Sequence, residues 1–306
     1  MNVFRRSDRS VLGSWFWTVD RVALGLIGLL LLLGLVILFS ASPAGARRVG
    51  FANDLSIGSL FFFKRQLVYM MVAVPLLVGL SMLSKVMVRR IAAVGLLFGL
   101  VALFAVLLFG EVRNGSRRWI GLFGFDLQPS EFIKPMFTVV TAWILAARFE
   151  DPDTPATNVA FALLTLVVAP LVVQPDYGQS ALIVATFMTQ LLVAGLALWR
   201  VAAMGALGLT GLGIAYLSVP HVTSRIDRFL HGTGDTYQVD KAVQSFKSGG
   251  LFGVGPGEGL VKFQLPEPHT DYIFSVIGEE FGLISCIAIA MIYLAIVVRV
   301  FVRLLH

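Results

Sequence analysis

The sequence predicts an all-α fold, a polytopic bundle of about eight transmembrane helices. Three observations predict it. Hydrophobic residues make up 57% of the 306 residues, and the mean hydropathy is +0.85, far above that of a water-soluble domain. Apolar runs of about 18 or more residues recur, each long enough to cross a hydrocarbon core of about 30 Å. Across so many spans of that length, only helices satisfy every backbone polar group in lipid. The formal charge of +6 then reads against a membrane and its anionic lipids. No basic run interleaved with aromatics marks a nucleic-acid groove.

The elements follow in order. Arg5, Arg6 and Arg9 precede Trp15-Phe16-Trp17, whose rings suit the headgroup layer. The first span covers about 22–40. Ala44-Gly45-Ala46 resembles a signal-cleavage site, but the apolar run before it exceeds the 7–15 residues of a signal core, so it reads as a permanent span. Further spans fall at about 66–83, 91–109, 132–148, 157–174, 178–198, 201–219 and 274–298. Pro75, Pro135 and Pro170 should kink or bound their helices. Short connections dense in basic residues, such as Lys85, Arg89 and Arg90, share a side with the N-terminus and place it inside. The single cysteine, Cys286, permits no internal disulfide, and its apolar surroundings predict a buried, inert thiol. The whole chain, 1–306, reads as one domain with two long outer loops, about 110–131 and 220–273. Loops of that length in a compact protein are usually functional.

Three stretches could carry chemistry. In RRWIGLFGFDLQPSEFIKP, residues 117–135, Arg117 and Arg118 stand beside Trp119. That pattern suits a headgroup anchor or a cationic, aromatic-lined entrance for an anionic amphiphile. Lys134 sits at the mouth of the fourth span, where a charge is expensive and usually functional; Ser130 reads as a helix cap, with Glu131 beside it. In VVQPDYGQS, residues 172–180, Asp176 either caps the sixth helix or presents a carboxylate to the bundle.

The third stretch is GGLFGVGPGEGLVKFQLPEPHTDYIFSVIGEE, residues 249–280. Its glycines do not form a phosphate loop, because no βαβ unit surrounds them and Pro256 interrupts the spacing. They read as a flexible loop that approaches lipid or substrate closely. Lys262, Glu267, His269 and Asp271 follow at short intervals. Glu267, His269 and Asp271 are possible metal ligands but match no zinc spacing. Asp271 immediately precedes Tyr272-Ile273-Phe274, where water gives way to hydrocarbon. Desolvation there would make it a better proton acceptor, and Lys262 would oppose the shift. Glu279 and Glu280 lie about two turns deeper, and at least one must face the bundle interior.

These segments strongly resemble the SEDS family of shape, elongation, division and sporulation proteins. The form LPE-x-HTD-Y-IF-x-x-IGEE looks like the division branch rather than the elongation branch. The resemblance implies a peptidoglycan glycosyltransferase that polymerises lipid II on the outer side of the bacterial cytoplasmic (inner) membrane, at the division septum. It also implies a class B penicillin-binding transpeptidase and other divisome membrane proteins as partners. The family's catalytic aspartate falls on Asp271, its RWI tryptophan on Trp119, its QPD aspartate on Asp176 and its PSE-x-x-K lysine on Lys134. Gln179 stands where many members carry threonine. Members usually have ten spans, so the last two are expected to be missing from this chain.

The expected mechanism has Asp271 deprotonate an acceptor sugar hydroxyl, which displaces pyrophosphate at the donor's anomeric carbon with inversion. Arg117, Lys134 and Lys262 are the expected phosphate clamp, and Trp119 with an apolar groove holds lipid and sugar. Asp176 and His269 join the substrate-binding set, supported by Glu131, Glu267, Glu279 and Glu280. The leaving pyrophosphate is stabilised by these cations or by a divalent ion, Mg or Mn; no organic cofactor is expected. A lipid II flippase would want ionisable groups at the bilayer midplane, whereas the acids here cluster at the outer rim. A divisome scaffold is the other alternative.

Overall fold

The computed structural model describes residues 10–53, 56–113, 116–122, 125–151, 153–231 and 236–305. Arg5, Arg6 and Arg9 lie outside them. Where the sequence suggests one domain, the chain divides into two compact units, Met1–Met82 with Pro220–His306 and Leu83–Val219.

In the first unit, α1 (Val11–Thr18) starts where the Ser10 hydroxyl accepts the Gly13 amide at 3.0 Å. Asp20 opens α2 (Arg21–Asn53) by accepting the amides of Val22 and Ala23 at 3.0 and 3.1 Å, the usual role of a helix-capping carboxylate. The helix continues well past the predicted end near residue 40. Ala44 and Ala46 are therefore buried helical residues, 1% and 2% exposed, rather than part of a cleavage loop. Helix α3 (Phe61–Ser81) packs along α2 and buries none of its residues, so its apolar side chains face outward as lipid contact demands. The long segment after residue 219 is structured. It holds α9 (Pro220–His231), α10 (Tyr237–Gly249) and a 3-10 turn (Val261–Phe263) before α11 (Ile273–Leu305). The core joins α2 to α11 through Ile37, Ile277 and Cys286, and through Ala41, Leu265 and Val276. Cys286 is buried, as its sequence context predicts.

Helix α11 breaks at Gly282 (φ 77°, ψ 177°), and the glycine-rich segment is sewn into the break. The amides of Val254 and Gly255 donate to the Glu279 and Glu280 carbonyls at 3.0 Å each. Those of Leu283 and Ile284 donate to the Gly250 and Leu251 carbonyls at 3.0 and 3.3 Å. These contacts satisfy backbone groups that a broken helix would otherwise leave bare in a dry environment. They also require backbones to touch: a Cβ on Gly253 would sit 2.2 Å from the Glu280 carbonyl oxygen, and one on Gly282 would sit 2.4 Å from the Gly253 nitrogen. The glycines thus serve close packing, and the predicted flexible loop is a fixed one.

In the second unit, α4 (Lys85–Phe109) is capped by Ser84, which accepts the Met87 amide at 3.3 Å. It is followed by α5 (Pro129–Glu150), α6 (Ala156–Val173), α7 (Tyr177–Val193) and α8 (Leu198–Ser218). Their shared core includes Leu103, Ile133, Phe137, Leu171, Ile183 and Phe187. A polar tie crosses it: the Thr141 hydroxyl donates to Gln190 Oε1 at 2.7 Å, and Gln190 Nε2 donates to the Thr138 carbonyl at 2.7 Å. The loop between α4 and α5 forms an antiparallel meander of β1 (Glu111–Arg113), β2 (Ser116–Leu122) and β3 (Phe125–Leu127).

Seven of the described helices are long and apolar enough to cross a membrane, and α7 is an eighth apolar helix of 17 residues. Together they match the eight predicted spans. Replacing Gly282 by Ala should destabilise the protein by about 1–3 kcal/mol from the left-handed backbone alone, and by more from the clash. A lowered melting temperature in detergent checks this, and an unchanged one contradicts the close-packing account.

Candidate functional site

The residues singled out in the sequence gather into two groups, one in each unit. In the first unit, Asp271 occupies the turn that launches α11. The turn is closed by the Thr270 and Tyr272 amides donating to the Glu267 carbonyl at 3.3 and 3.1 Å. The Thr270 hydroxyl also donates to the Glu267 carboxylate at 2.8 Å. Asp271 itself is exposed, and among the described residues nothing hydrogen-bonds its carboxylate. Its neighbour Tyr272 donates to Gln238 Oε1 at 3.1 Å; burial, then the charges of Asp271 and Glu267, push its phenol above the ordinary value.

His269 is half-buried. Its ring stacks on Phe62 with centroids 3.6 Å apart, and it lies so close to α2 that a Cβ on Gly45 would reach its Nδ1 at 2.5 Å. Nδ1 is buried and has no partner among the described residues. Burial is the main cause that holds the imidazole below its ordinary pKa of 6.5, and the nearby Arg65 charge adds to it; Glu267 and Asp271 oppose. The ring is thus neutral at pH 7. It lines a cleft of about 230 Å³ with Leu38, Phe62, Arg65, Gln66, Tyr69 and Thr270. Arg65 donates from Nε to Tyr69 Oη at 2.5 Å, and no ion pair to it is found among the described residues. The cleft therefore has an apolar floor, a cation and a neutral imidazole. The sequence reading missed Arg65: a lone cation at the start of an apolar run has no motif, and only the distant His269 gives it a context.

Lys262, Glu279 and Glu280 are each about 1% exposed. The Lys262 ammonium donates to Glu280 Oε1, to the Ser40 carbonyl at 3.2 Å and to the Gly257 carbonyl at 3.3 Å. Its three hydrogens are all taken, which leaves none for a phosphate, and this corrects the clamp role predicted for it. The Ser40 hydroxyl donates to Glu280 Oε2 and accepts the Gly257 amide at 3.1 Å. Glu279 instead accepts the amides of Val261 and Lys262 at 2.7 and 2.8 Å. Both glutamates face the interior, where the sequence requires at least one. Ser40 was not singled out, because a serine in an apolar helix carries no signal.

In the second unit, Asp176 stands at the N-cap position of α7 but makes no capping bond. Its buried carboxylate meets Arg118 Nη1 at 3.6 Å and accepts from Gln128 Nε2 at 3.4 Å, while Arg118 Nη2 donates to the Pro175 carbonyl at 3.0 Å. The inward-facing reading of Asp176 is the one realised. Lys134 pairs with Glu131 at 2.6 Å, and Glu131 also accepts from Gln179 Nε2 at 2.7 Å. The substitution at Gln179 is thereby built into this cluster. Ser130 is not the predicted cap: α5 begins at Pro129 with Gln128 before it, and the buried Ser130 hydroxyl has no partner among the described residues. Arg117 is exposed and donates to the Leu107 carbonyl at 3.3 Å, and Trp119 is half-buried on β2. Among the described residues, no three His, Cys, Asp or Glu side chains converge to hold a metal ion.

Comparison with known proteins adds the following. The profile of the family described as "Cell cycle protein", FtsW/RodA/SpoVE, matches residues 20–306. A "Probable peptidoglycan glycosyltransferase FtsW" of Caulobacter vibrioides is 38% identical over 301 residues, covering 97% of this chain and 75% of the relative. "Stage V sporulation protein E" of Bacillus subtilis is 32% identical over 279 residues, covering 87% and 73%. The crystal structure of the rod shape determining protein RodA of Thermus thermophilus superposes with a TM-score of 0.62 at 25% identity, covering 93% and 75%. A chain from a study of polymerization and crosslinking by a peptidoglycan synthase complex gives a TM-score of 0.72 at 24% identity, covering 93% and 78%, a likeness of fold.

The depressed His269 pKa fixes the sign of one pH effect. Below about pH 6.5 the unfolded chain takes up a proton that the folded chain resists. This contribution is therefore fully present above that pH and is lost as the pH falls. His269→Gln should flatten the decline in melting temperature between about pH 7.5 and about pH 5.5. An unchanged decline would show that the imidazole is not held neutral by burial.

Proposed function

Because the chain belongs to the FtsW/RodA/SpoVE family of cell cycle proteins, we propose that it is a peptidoglycan glycosyltransferase that polymerises lipid II during septal wall synthesis. The observation that carries the reading is the state of Asp271. It is exposed and without a hydrogen-bond partner among the described residues, on a turn locked to the start of a membrane helix. A carboxylate so placed can reach the sugar of a lipid-anchored substrate while the lipid stays in the bilayer.

In this reading Asp271 removes the proton from the acceptor hydroxyl as its oxygen bonds to the donor's anomeric carbon. The bond from that carbon to the pyrophosphate oxygen breaks, and the polyprenyl pyrophosphate leaves as an anion without needing a proton. Cations must meet that charge. In the unit that carries Asp271, the buried Lys262 is committed to Glu280, and Arg65 beside the His269 cleft takes its place as the cation. Phe62 and Leu38 on the cleft wall would take the first isoprene units. A bound Mg or Mn would add charge at the same pyrophosphate.

The setting proposed is the bacterial cytoplasmic membrane at the septum, with the N-terminus inside and the meander and α10 outside. A class B penicillin-binding transpeptidase and other divisome proteins are the proposed partners. Depth argues against the flippase alternative. At 1.5 Å per residue, Ser40 lies about 28 Å along α2 from Arg21, near the far side of a core about 30 Å thick. The buried charges that meet Ser40 therefore sit at the outer boundary rather than at the midplane.

Asp271→Asn should abolish glycan-chain formation from lipid II by the purified, reconstituted protein. Because the side chain is exposed and unbonded, the melting temperature should stay within about 1 °C of the parent. Full polymerisation by this variant would overturn the assignment.

A further inference from the structure

Beyond the general-base reading of Asp271, on which it rests, the structure assigns a positioning role to the buried trio Ser40, Lys262 and Glu280. The trio closes the base of the loop that carries Asp271. The loop leaves the 3-10 turn at Lys262 and returns on α11 at Glu280, and these two side chains are joined in an ion pair. Both are then fastened to one point of α2: Lys262 to the Ser40 carbonyl and Glu280 to the Ser40 hydroxyl. Glu279 binds the same 3-10 turn through two backbone amides. Between these clamps, Leu265 is fully buried against Ala41 and Val276, and Glu267 closes the turn under Thr270 and Tyr272.

Among the described residues no hydrogen bond or ion pair joins the trio to Asp271, so its effect must pass through the loop. An ion pair needs both charges at a fixed separation, whereas an apolar pair of similar volume tolerates sliding. At a reacting centre a displacement of about 1 Å can cost about 100-fold in rate. A paired ammonium and carboxylate at the loop's base therefore fix where the Asp271 oxygens stand, without affecting how tightly a lipid binds elsewhere.

The test uses the full chain in detergent or liposomes with lipid II. Removing Lys262 alone would strand a buried carboxylate and could unfold the protein. The informative variant is therefore the neutral double substitution Lys262→Met with Glu280→Gln, accompanied by the milder Ser40→Ala. Rates are normalised to folded protein, and hydrogen exchange is followed at the Thr270 and Tyr272 amides. The expected result for the double variant is a kcat lower by about 10- to 100-fold, KM within about twofold of the parent, and faster exchange at those two amides. Ser40→Ala should move the same quantities less, in the same direction. Wild-type kcat in the folded double variant, a fall confined to KM, or unchanged exchange at the turn would each overturn the proposal. If the unmodified protein makes no glycan, the glycosyltransferase reading fails by itself, and the exchange measurement alone then decides whether the trio holds the loop.

Discussion

One buried ammonium shapes the first unit. Lys262 lies in the dry interior between α2 and α11, where an uncompensated charge would cost several kcal/mol. The chain meets that cost with a carboxylate and two carbonyls, each from a different segment. Each partner is therefore pinned in place. Glu280 must point inward from α11, Ser40 must face it from α2, and the glycine-rich segment must bring Gly257 alongside. That last requirement presses backbone against backbone at the break in α11, and positions such as Gly253 and Gly282 admit no side chain. The glycines, the helix break and the ion pair are one structural solution to one charge.

The same logic separates the acids of this region by task. Glu280 is neutralised by the ammonium. Glu279 is satisfied by two amides of the 3-10 turn, which a carboxylate accepts well. Glu267 closes its own turn through Thr270. Asp271, two residues before the helix begins, is exposed and has no hydrogen-bond partner among the described residues. A carboxylate committed to holding the fold cannot also exchange a proton with a substrate, and among the described residues Asp271 carries no such commitment. The second unit repeats the pattern: Asp176 is committed to Arg118 and Gln128, and Glu131 to Lys134 and Gln179.

What the sequence made legible follows from the range of each signal. Eight spans could be read because hydropathy is summed over about twenty residues and survives local irregularity. That at least one of Glu279 and Glu280 faces inward was also legible, since lipid forbids the alternative. The meander at 111–127 was hidden, because strands of three residues are too short to show a period of two. The cap at Ser130 was misplaced because Pro129 fits the first turn of a helix and moved the start back by two residues. Lys262 looked like a phosphate ligand because its partners Ser40 and Glu280 lie 222 and 18 residues away, and no local pattern reports them. Arg65 was missed for the same reason.

Helix α11 is held to α2 on both sides of its break. Above Gly282 the tie is Glu280 to Ser40. Below it, Arg299 and Arg303 each donate to the Asp20 carboxylate at 2.8 Å, and the Ala23 amide and these guanidiniums hold that carboxyl well below the usual range. A broken helix anchored at only one end could swing at the break, as hinges with unusual backbone angles do. Anchored at both ends to the same partner, and with the break itself filled by four backbone hydrogen bonds, α11 has no such freedom. The exposed aspartate therefore stands on a rigid stem.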